Sequence, residues 1–106
     1  MSKNDTKKKE NPLVVEFNKS VKFEDKDIEK VDLRGLNDLK TKDLIELEKQ
    51  FNLDGNFSSQ PEASIAYARL ASERVSNLPL EFFDNLGAKE MIKIKNAVMN
   101  FFYGEE

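Results

Sequence analysis

The sequence predicts a mostly helical α+β protein, in which a small N-terminal antiparallel β-hairpin or sheet is followed by three to four helices. Two observations predict this class. Apolar and polar residues alternate between positions 13 and 33, which is typical of strands, and apolar residues recur every three or four positions after Leu36, which is typical of helices. A chain of 106 residues, 39% of them apolar, is long enough to bury one core and too short for several.

The alternating region predicts short strands at residues 13–17, 21–23 and 28–33. The polar segment 18–20 is predicted as a turn, and the charged segment 24–27 as the loop of a hairpin. So small a sheet is marginally stable alone, because it has little apolar surface to bury. We therefore expect it to pack against the helices.

Capping signals place the first two helices. Thr41 is the expected N-cap of the first helix, and Gly55 the residue that ends it, because glycine tolerates the left-handed conformation found at helix ends. Ser59 and Glu62 match a capping box for the second helix, which is rich in alanine and extends to about Ser76. Its small side chains should allow neighbouring helices to approach closely.

A short helical turn is predicted at residues 80–84, and a last helix from about Ala88 to Tyr103. The apolar residues of this last helix cover roughly 240° of its circumference, whereas packing on one core needs little more than about 100°. The apolar surface beyond that width is covered either internally, by the sheet and the other helices, or by a partner or a second copy of the chain. The residues proposed for a partner surface are Met91, Ile94, Val98, Phe101 and Phe102.

Within this set, Ile94 and Phe101 are the expected anchor pair. If the core-facing stripe is centred near Met91 and Val98, then Ile94 and Phe101 lie on one flank of the helix, and Ile92, Met99 and Tyr103 lie on the other. An aromatic side chain beside a branched aliphatic one is the usual composition of a binding anchor. We therefore expect the Ile94 flank to be the more exposed one.

Charge is distributed unevenly along the chain. The first ten residues contain four lysines and two acidic residues, which gives them a local charge of +2. Because the net charge of the chain is −3, the remaining residues carry a charge of −5. We interpret residues 1–11 as a disordered basic tail and residues 12–106 as one domain. A basic arm of this kind is also compatible with contacts to nucleic acid, although the acidic remainder of the chain opposes them.

Few kinds of chemistry are available to this composition. The chain contains no Cys and no His, which excludes disulfides, zinc-thiolate sites and imidazole catalysis. The alternating acids of residues 25–29 resemble the start of a calcium loop, but Lys30 and Leu36 occupy the positions where the loop needs Gly and Glu. We therefore expect no enzyme, no metal and no cofactor. Short apolar runs and a polar N-terminus predict a cytoplasmic protein that does not bind membranes.

A resemblance to a known family rests on four segments: Val31–Leu36, Asp43–Leu44, Leu78–Asp84 and Ile94–Phe102. In pattern and order they are similar to the tail assembly chaperones of tailed bacteriophages, the family that includes the phage E and 41-type tail proteins. The match covers about residues 12 to 103, and its most specific part is the C-terminal segment. There the family commonly has a valine-rich run leading into Asn-Phe-Phe, from which this chain departs conservatively at Ala97 and Met99. The domain of residues 12–106 is thus identified as tail-assembly-chaperone-like.

The resemblance implies a chaperone that binds the helical tape-measure protein and keeps it soluble during tail morphogenesis. It also implies recruitment of tail-tube protein through a frameshifted longer form, a location in the host bacterial cytoplasm, and absence from the mature virion. The residues alone leave self-association open and favour no specific nucleic acid. They also leave open an alternative function, that of a small non-catalytic regulatory or nucleic-acid-associated adaptor, which would need a basic face on the ordered part of the chain.

Overall fold

A computed structural model describes residues 11–104 of the protein. The predicted class is confirmed: an antiparallel β-hairpin is followed by four α-helices and two short 3₁₀ segments. The predicted basic tail lies outside the described residues, apart from Asn11. The elements are β1 (Val14–Phe23), β2 (Lys26–Asp32), a 3₁₀ turn (Arg34–Asp38), α1 (Thr41–Leu53), a second 3₁₀ turn (Pro61–Ala63), α2 (Ile65–Ser76), α3 (Leu80–Asp84) and α4 (Ala88–Tyr103).

The hairpin consists of two long strands rather than the three short ones predicted. β1 and β2 pair antiparallel and are joined at Glu24 and Asp25, both in the left-handed region with φ of 50° and 68°, as tight two-residue hairpin turns require. The predicted turn at 18–20 is wrong, because β1 continues through it with a shift of register between Glu16 and Val21. A bulge and a turn both favour exposed polar residues, so the sequence signal does not separate them.

Two helix starts differ from the prediction. The N-cap of α1 is Lys40, whose backbone N–H donates to Asp43 Oδ2 at 2.8 Å, so Thr41 is the first helical residue rather than the cap. α2 is capped by Ser64, whose Oγ accepts from the Tyr67 N–H at 3.1 Å, and not by Ser59. Both corrections have the same cause: several polar residues precede each helix, and the tertiary structure selects among them.

The predicted helix ends agree with the structure. Gly55, after α1, has a φ of +91° and adopts the left-handed conformation expected of it. Asn77 ends α2 in the same region, with a φ of 66°. Apart from glycine, asparagine is the residue type that best tolerates this conformation, because its short polar side chain can form hydrogen bonds with the nearby backbone.

The central element of the core is α2, which packs against α1, α3 and α4. Its small residues Ala68, Ala71 and Ser72 are completely buried, which allows these neighbours to approach. The Tyr67 ring lies 6.0 Å from Phe51 of α1 and 6.0 Å from Phe102 of α4. Helices far apart in sequence are therefore joined through one side of α2.

α3 connects the hairpin to the helices through one aromatic side chain. The Phe82 ring stacks on Phe17 at 6.4 Å and meets Phe23 edge-on at 5.5 Å, so it contacts both the middle and the C-terminal end of β1. It also meets Phe83 edge-on at 5.1 Å. Such offset and edge-on pairs add to the stabilisation from burial alone.

The first 3₁₀ turn packs closely on α2 at Gly35. A Cβ atom there would lie 3.0 Å from Val75 Cβ and 3.3 Å from the Val75 carbonyl oxygen. We expect Gly35→Ala to lower the free energy of unfolding by about 1–3 kcal/mol, because Val75 must move by a few tenths of an ångström within a packed contact to accept the added methyl group. Urea denaturation measures the loss, and Asn37→Ala, at an exposed position of the same turn, serves as the control. Equal stability of the two variants would contradict this close approach.

Candidate functional site

The predicted partner-binding residues of α4 are divided among different environments. Met91, Ile94 and Val98 form the buried stripe, with exposed fractions of 7%, 0% and 0%. The expectation that Ile94 lies on the more exposed flank is therefore wrong. Because α4 packs against both α2 and β1, its buried stripe is centred between Ile94 and Val98 rather than between Met91 and Val98.

The more exposed flank of α4 is the one formed by Ile92, Met99 and Tyr103. These residues fall within about 40° on a helical wheel, and Ile92 and Tyr103 are 43% and 50% exposed. The Tyr103 hydroxyl donates to Glu62 Oε1 at 2.9 Å, which fixes the C-terminal end of the flank to the second 3₁₀ turn. This hydrogen bond also raises the pKa of Tyr103. The flank thus offers apolar surface held in a defined position.

An apolar cleft of about 320 Å³ lies beside the N-terminal part of this flank, between α2, α3 and α4. We call it the α2–α4 cleft. Its floor is formed by the buried side chains of Phe83, Leu86 and Met91. Its rim includes Ile65 at the start of α2 and Ile92 of α4, which are 46% and 43% exposed. Two exposed isoleucines beside an apolar floor are suited to holding an apolar side chain of a partner.

An ion pair forms one wall of the α2–α4 cleft. Arg69 of α2 binds Asp84 of α3 in a bidentate manner, with Arg69 Nη2 donating to Asp84 Oδ2 at 3.1 Å. These hydrogen bonds lower the pKa of Asp84 and raise that of Arg69. The carboxylate is therefore ionised and already paired, so its evident role is to hold α3 against α2 and keep the cleft in shape.

Phe101, the other predicted anchor, lies in a different depression of about 340 Å³. This depression is lined by Phe101 and Ala97 of α4 and by Pro12 and Leu13 before β1. Phe101 is half-buried and meets Phe102 edge-on at 5.0 Å. The structure therefore separates Phe101 from Met91 and leaves Ile94 and Val98 in the core between them.

The perturbed titrating groups of the described residues have structural explanations. Burial raises the pKa of Tyr67 to about 12, which keeps its hydroxyl protonated. Hydrogen bonds from Arg34 lower the pKa of Asp32 to about 2 on the exposed surface near β2. Within residues 11–104, no three His, Cys, Asp or Glu side chains are close enough to hold a metal ion together. In the same range, no helix is both long and apolar enough to cross a membrane.

Of the residues that line the α2–α4 cleft, only Met91 was among the predicted binding residues, and the rim residues Ile65 and Ile92 were not. The predicted start of α2 at Ser59 placed Ile65 inside a helix, whereas it is the first helical residue and stands at the cleft rim. Comparisons of the chain with protein-family models, with curated proteins and with solved structures found no match.

Proposed function

We propose that the protein is a non-catalytic tail assembly chaperone that binds the helical tape-measure protein of a tailed bacteriophage through the α2–α4 cleft. The observation that carries the proposal is the pair of exposed isoleucines, Ile65 and Ile92, at the rim of a cleft with an apolar floor. A groove of this kind suits the apolar face of an amphipathic helix. The resemblance in segment order names the partner, and the cleft supplies the surface.

The expected strength of the interaction follows from the area that a partner would cover. Full burial of an isoleucine contributes about 1.5–3 kcal/mol, so covering the exposed halves of Ile65 and Ile92 would contribute about 1 kcal/mol each. Met91 on the floor can adjust to different partner side chains, because its unbranched thioether is flexible. A chaperone that meets several similar segments of one long helical protein benefits from such adaptability.

The resemblance alone supports two further parts of this proposal, namely the recruitment of tail-tube protein through a longer form and the location in the host cytoplasm.

The alternative, a nucleic-acid-associated adaptor, has less support. Residues 11–104 contain 13 basic and 16 acidic residues, so the described part of the chain repels a phosphate backbone overall. Duplex DNA bound tightly at physiological salt would favour the adaptor instead.

Co-expression with the tape-measure protein of the same genome tests the proposal. We expect the double variant Ile65→Ser/Ile92→Ser to retain its fold and to lose about thirtyfold in affinity, which corresponds to about 2 kcal/mol of lost burial. Co-purification followed by calorimetric titration measures the change. The matched control is Ile45→Ser, since Ile45 is 53% exposed on α1 and does not line the cleft.

Two results would contradict the proposal. One is unchanged capture of the tape-measure protein by the double variant. The other is an equal loss in the Ile45→Ser control, because a general effect of removing surface apolar groups would then explain the result. The binding comparison is made with a double variant that melts at the temperature of the unchanged chain. We expect this melting temperature, because both isoleucines are partly exposed.

A further inference from the structure

We infer that a second copy of the chain inserts the Phe57 ring into the α2–α4 cleft, so that the protein forms a weak homodimer whenever no other partner fills the cleft. One chain supplies the cleft, and the other supplies the ring that completes it. The inference rests on the proposed function in one respect, because self-association and the tape-measure protein would then compete for the same surface. Self-association itself needs no other protein.

Phe57 is the most exposed large apolar side chain among residues 11–104, with 98% of its surface in water. It lies between α1 and the second 3₁₀ turn, four residues after Leu53, which is 77% exposed. Single exposed apolar residues are ordinary on protein surfaces. A phenylalanine, however, buries about 150–250 Å² when it is covered. The loop therefore presents one large apolar projection.

Hydrogen bonds hold the chain on both sides of Phe57. Before it, the backbone N–H and the Nδ2 of Asn56 both donate to the Phe51 carbonyl oxygen, each at 3.2 Å. After it, the Gln60 N–H donates to Ser58 Oγ at 3.0 Å. A loop held in this way loses little conformational freedom when its ring is bound. The ring is thus preorganised to bind outside its own chain.

The α2–α4 cleft has the size and the lining for one aromatic ring. An apolar cavity of about 150 Å³ is enough to hold benzene, and the cleft measures about 320 Å³. Phe83 on the floor offers an aromatic neighbour, and aromatic pairs add to the stabilisation from burial alone. Ile65 and Ile92 at the rim would cover the sides of the ring.

The charges of the two surfaces also favour this occupant. Residues 55–60 carry no charged side chain. The charged residues that line the cleft, Arg69 and Asp84, are one cation and one anion bound to each other. A charged occupant would find no complementary charge there, whereas an uncharged aromatic loop meets no like charge. The chain itself contains such a loop.

The loop begins near the cleft, which allows both copies to contribute a ring. The pKa of Arg69 is raised chiefly by its hydrogen bonds to Asp84, and the Asp54 carboxylate raises it further. Because charges are screened beyond about 10 Å in salt, Asp54 lies on the Arg69 side of the molecule. A two-fold axis on this side places each ring against the cleft of the other copy.

The area buried predicts a weak dimer. Two rings of about 200 Å² each, with equal areas of cleft, bury on the order of 800 Å². Stable interfaces bury about 1,200–2,000 Å². A dimer of this size dissociates easily, so a longer partner that covers more of the cleft can displace it.

Sedimentation velocity of the full chain tests the inference. We expect the unchanged chain to shift from monomer to dimer between about 10 µM and about 1 mM, as so small an interface implies. Phe57→Ser should raise the dissociation constant by about a hundredfold or more, because each dimer loses two buried rings. Ile65→Ser/Ile92→Ser should also shift the equilibrium to monomer. Ile45→Ser, which removes an exposed side chain outside the cleft, is the control and should dimerise normally.

Cysteine cross-linking locates the contact, since the chain has no cysteine of its own. Ser58→Cys lies beside the ring, and Ala88→Cys lies in the cleft lining. We expect a mixture of these two chains, carrying tags of different size, to form a mixed disulfide at least about fivefold faster than Ser58→Cys mixed with Thr41→Cys. Thr41 is exposed at the start of α1, outside the cleft.

Three outcomes would overturn the inference: a chain that stays monomeric at about 1 mM, a dimer that Phe57→Ser or the double cleft variant leaves intact, and equal cross-linking in the two mixtures. None of them bears on capture of the tape-measure protein. Phe57→Ser should capture that protein at least as well as the unchanged chain, because its cleft stays open. Self-association and the proposed function can therefore fail separately.

Discussion

Ile94→Asp is expected to leave the chain unfolded at room temperature. Ile94 lies in the middle of α4 with no exposed surface, where α4 is packed against α2 and β1. The substitution removes a buried branched side chain, which costs about 2–5 kcal/mol, and places an unpaired carboxylate in the core, which costs several kcal/mol more. Small domains have only about 5–15 kcal/mol of stability in total, so a loss of this size is comparable with the whole stability of the fold.

Circular dichroism and thermal melting measure this loss, with Ile92→Asp as the control. Ile92 lies two residues away on the same helix and is 43% exposed, so its carboxylate would remain in water and the fold should survive. A cooperative melt of Ile94→Asp at the temperature of the unchanged chain would contradict the orientation of α4. Ile94 would then belong to the surface, and the anchor pair with Phe101 would regain its place as a candidate.

Phe82→Ala is expected to lower the free energy of unfolding by about 3–5 kcal/mol. The Phe82 ring is 1% exposed and touches Phe17, Phe23 and Phe83. Its removal leaves a cavity between the hairpin and α3, and a two-stranded hairpin has little stability of its own. We therefore expect the hairpin to lose its packing before the helices do.

Urea denaturation measures this stability change. The backbone amide NMR signals of β1 and β2 show whether the packing is lost in the hairpin. Phe57→Ala is the matched control: the same substitution is made at a side chain that is 98% exposed, so the change should stay within about 0.5 kcal/mol. If Phe82→Ala is as stable as Phe57→Ala, the hairpin is attached by other contacts.

The fold class and the bounds of α4 could be predicted from the sequence because they depend on local periodicity. The run from Ala88 to Tyr103 has strong helical spacing, and Gly87 and Gly104 stand immediately outside it. The cap of α2 could not be predicted, since Ser59 and Ser64 offer the same hydroxyl acceptor and only packing distinguishes them. Element type is thus encoded locally, whereas the choice among equivalent capping residues is not.

The candidate site was predicted only in part, for a geometrical reason. A helical wheel gives the angles between side chains of α4, but it does not give the rotation of the helix against its neighbours. Met91, one of the predicted binding residues, lies at the floor of the α2–α4 cleft, whereas the more exposed flank of α4 is that of Ile92 rather than Ile94. Ile65 could not be paired with Ile92 in advance, because their proximity depends on how α2 and α4 pack.

The two-stranded sheet has a consequence for solubility. Among the described residues it has only two strands, so each strand has an outer edge that no third strand covers, and such edges are templates for aggregation. Several features of this hairpin discourage that process. The register shift between Glu16 and Val21 interrupts the regular spacing of the β1 backbone groups, and Lys93 Nζ donates to the Glu16 carbonyl oxygen at 3.3 Å. Exposed charges along both strands add repulsion and a desolvation cost to any edge-to-edge contact, and they are carried by Lys19, Lys22, Lys26, Asp27, Glu29 and Lys30.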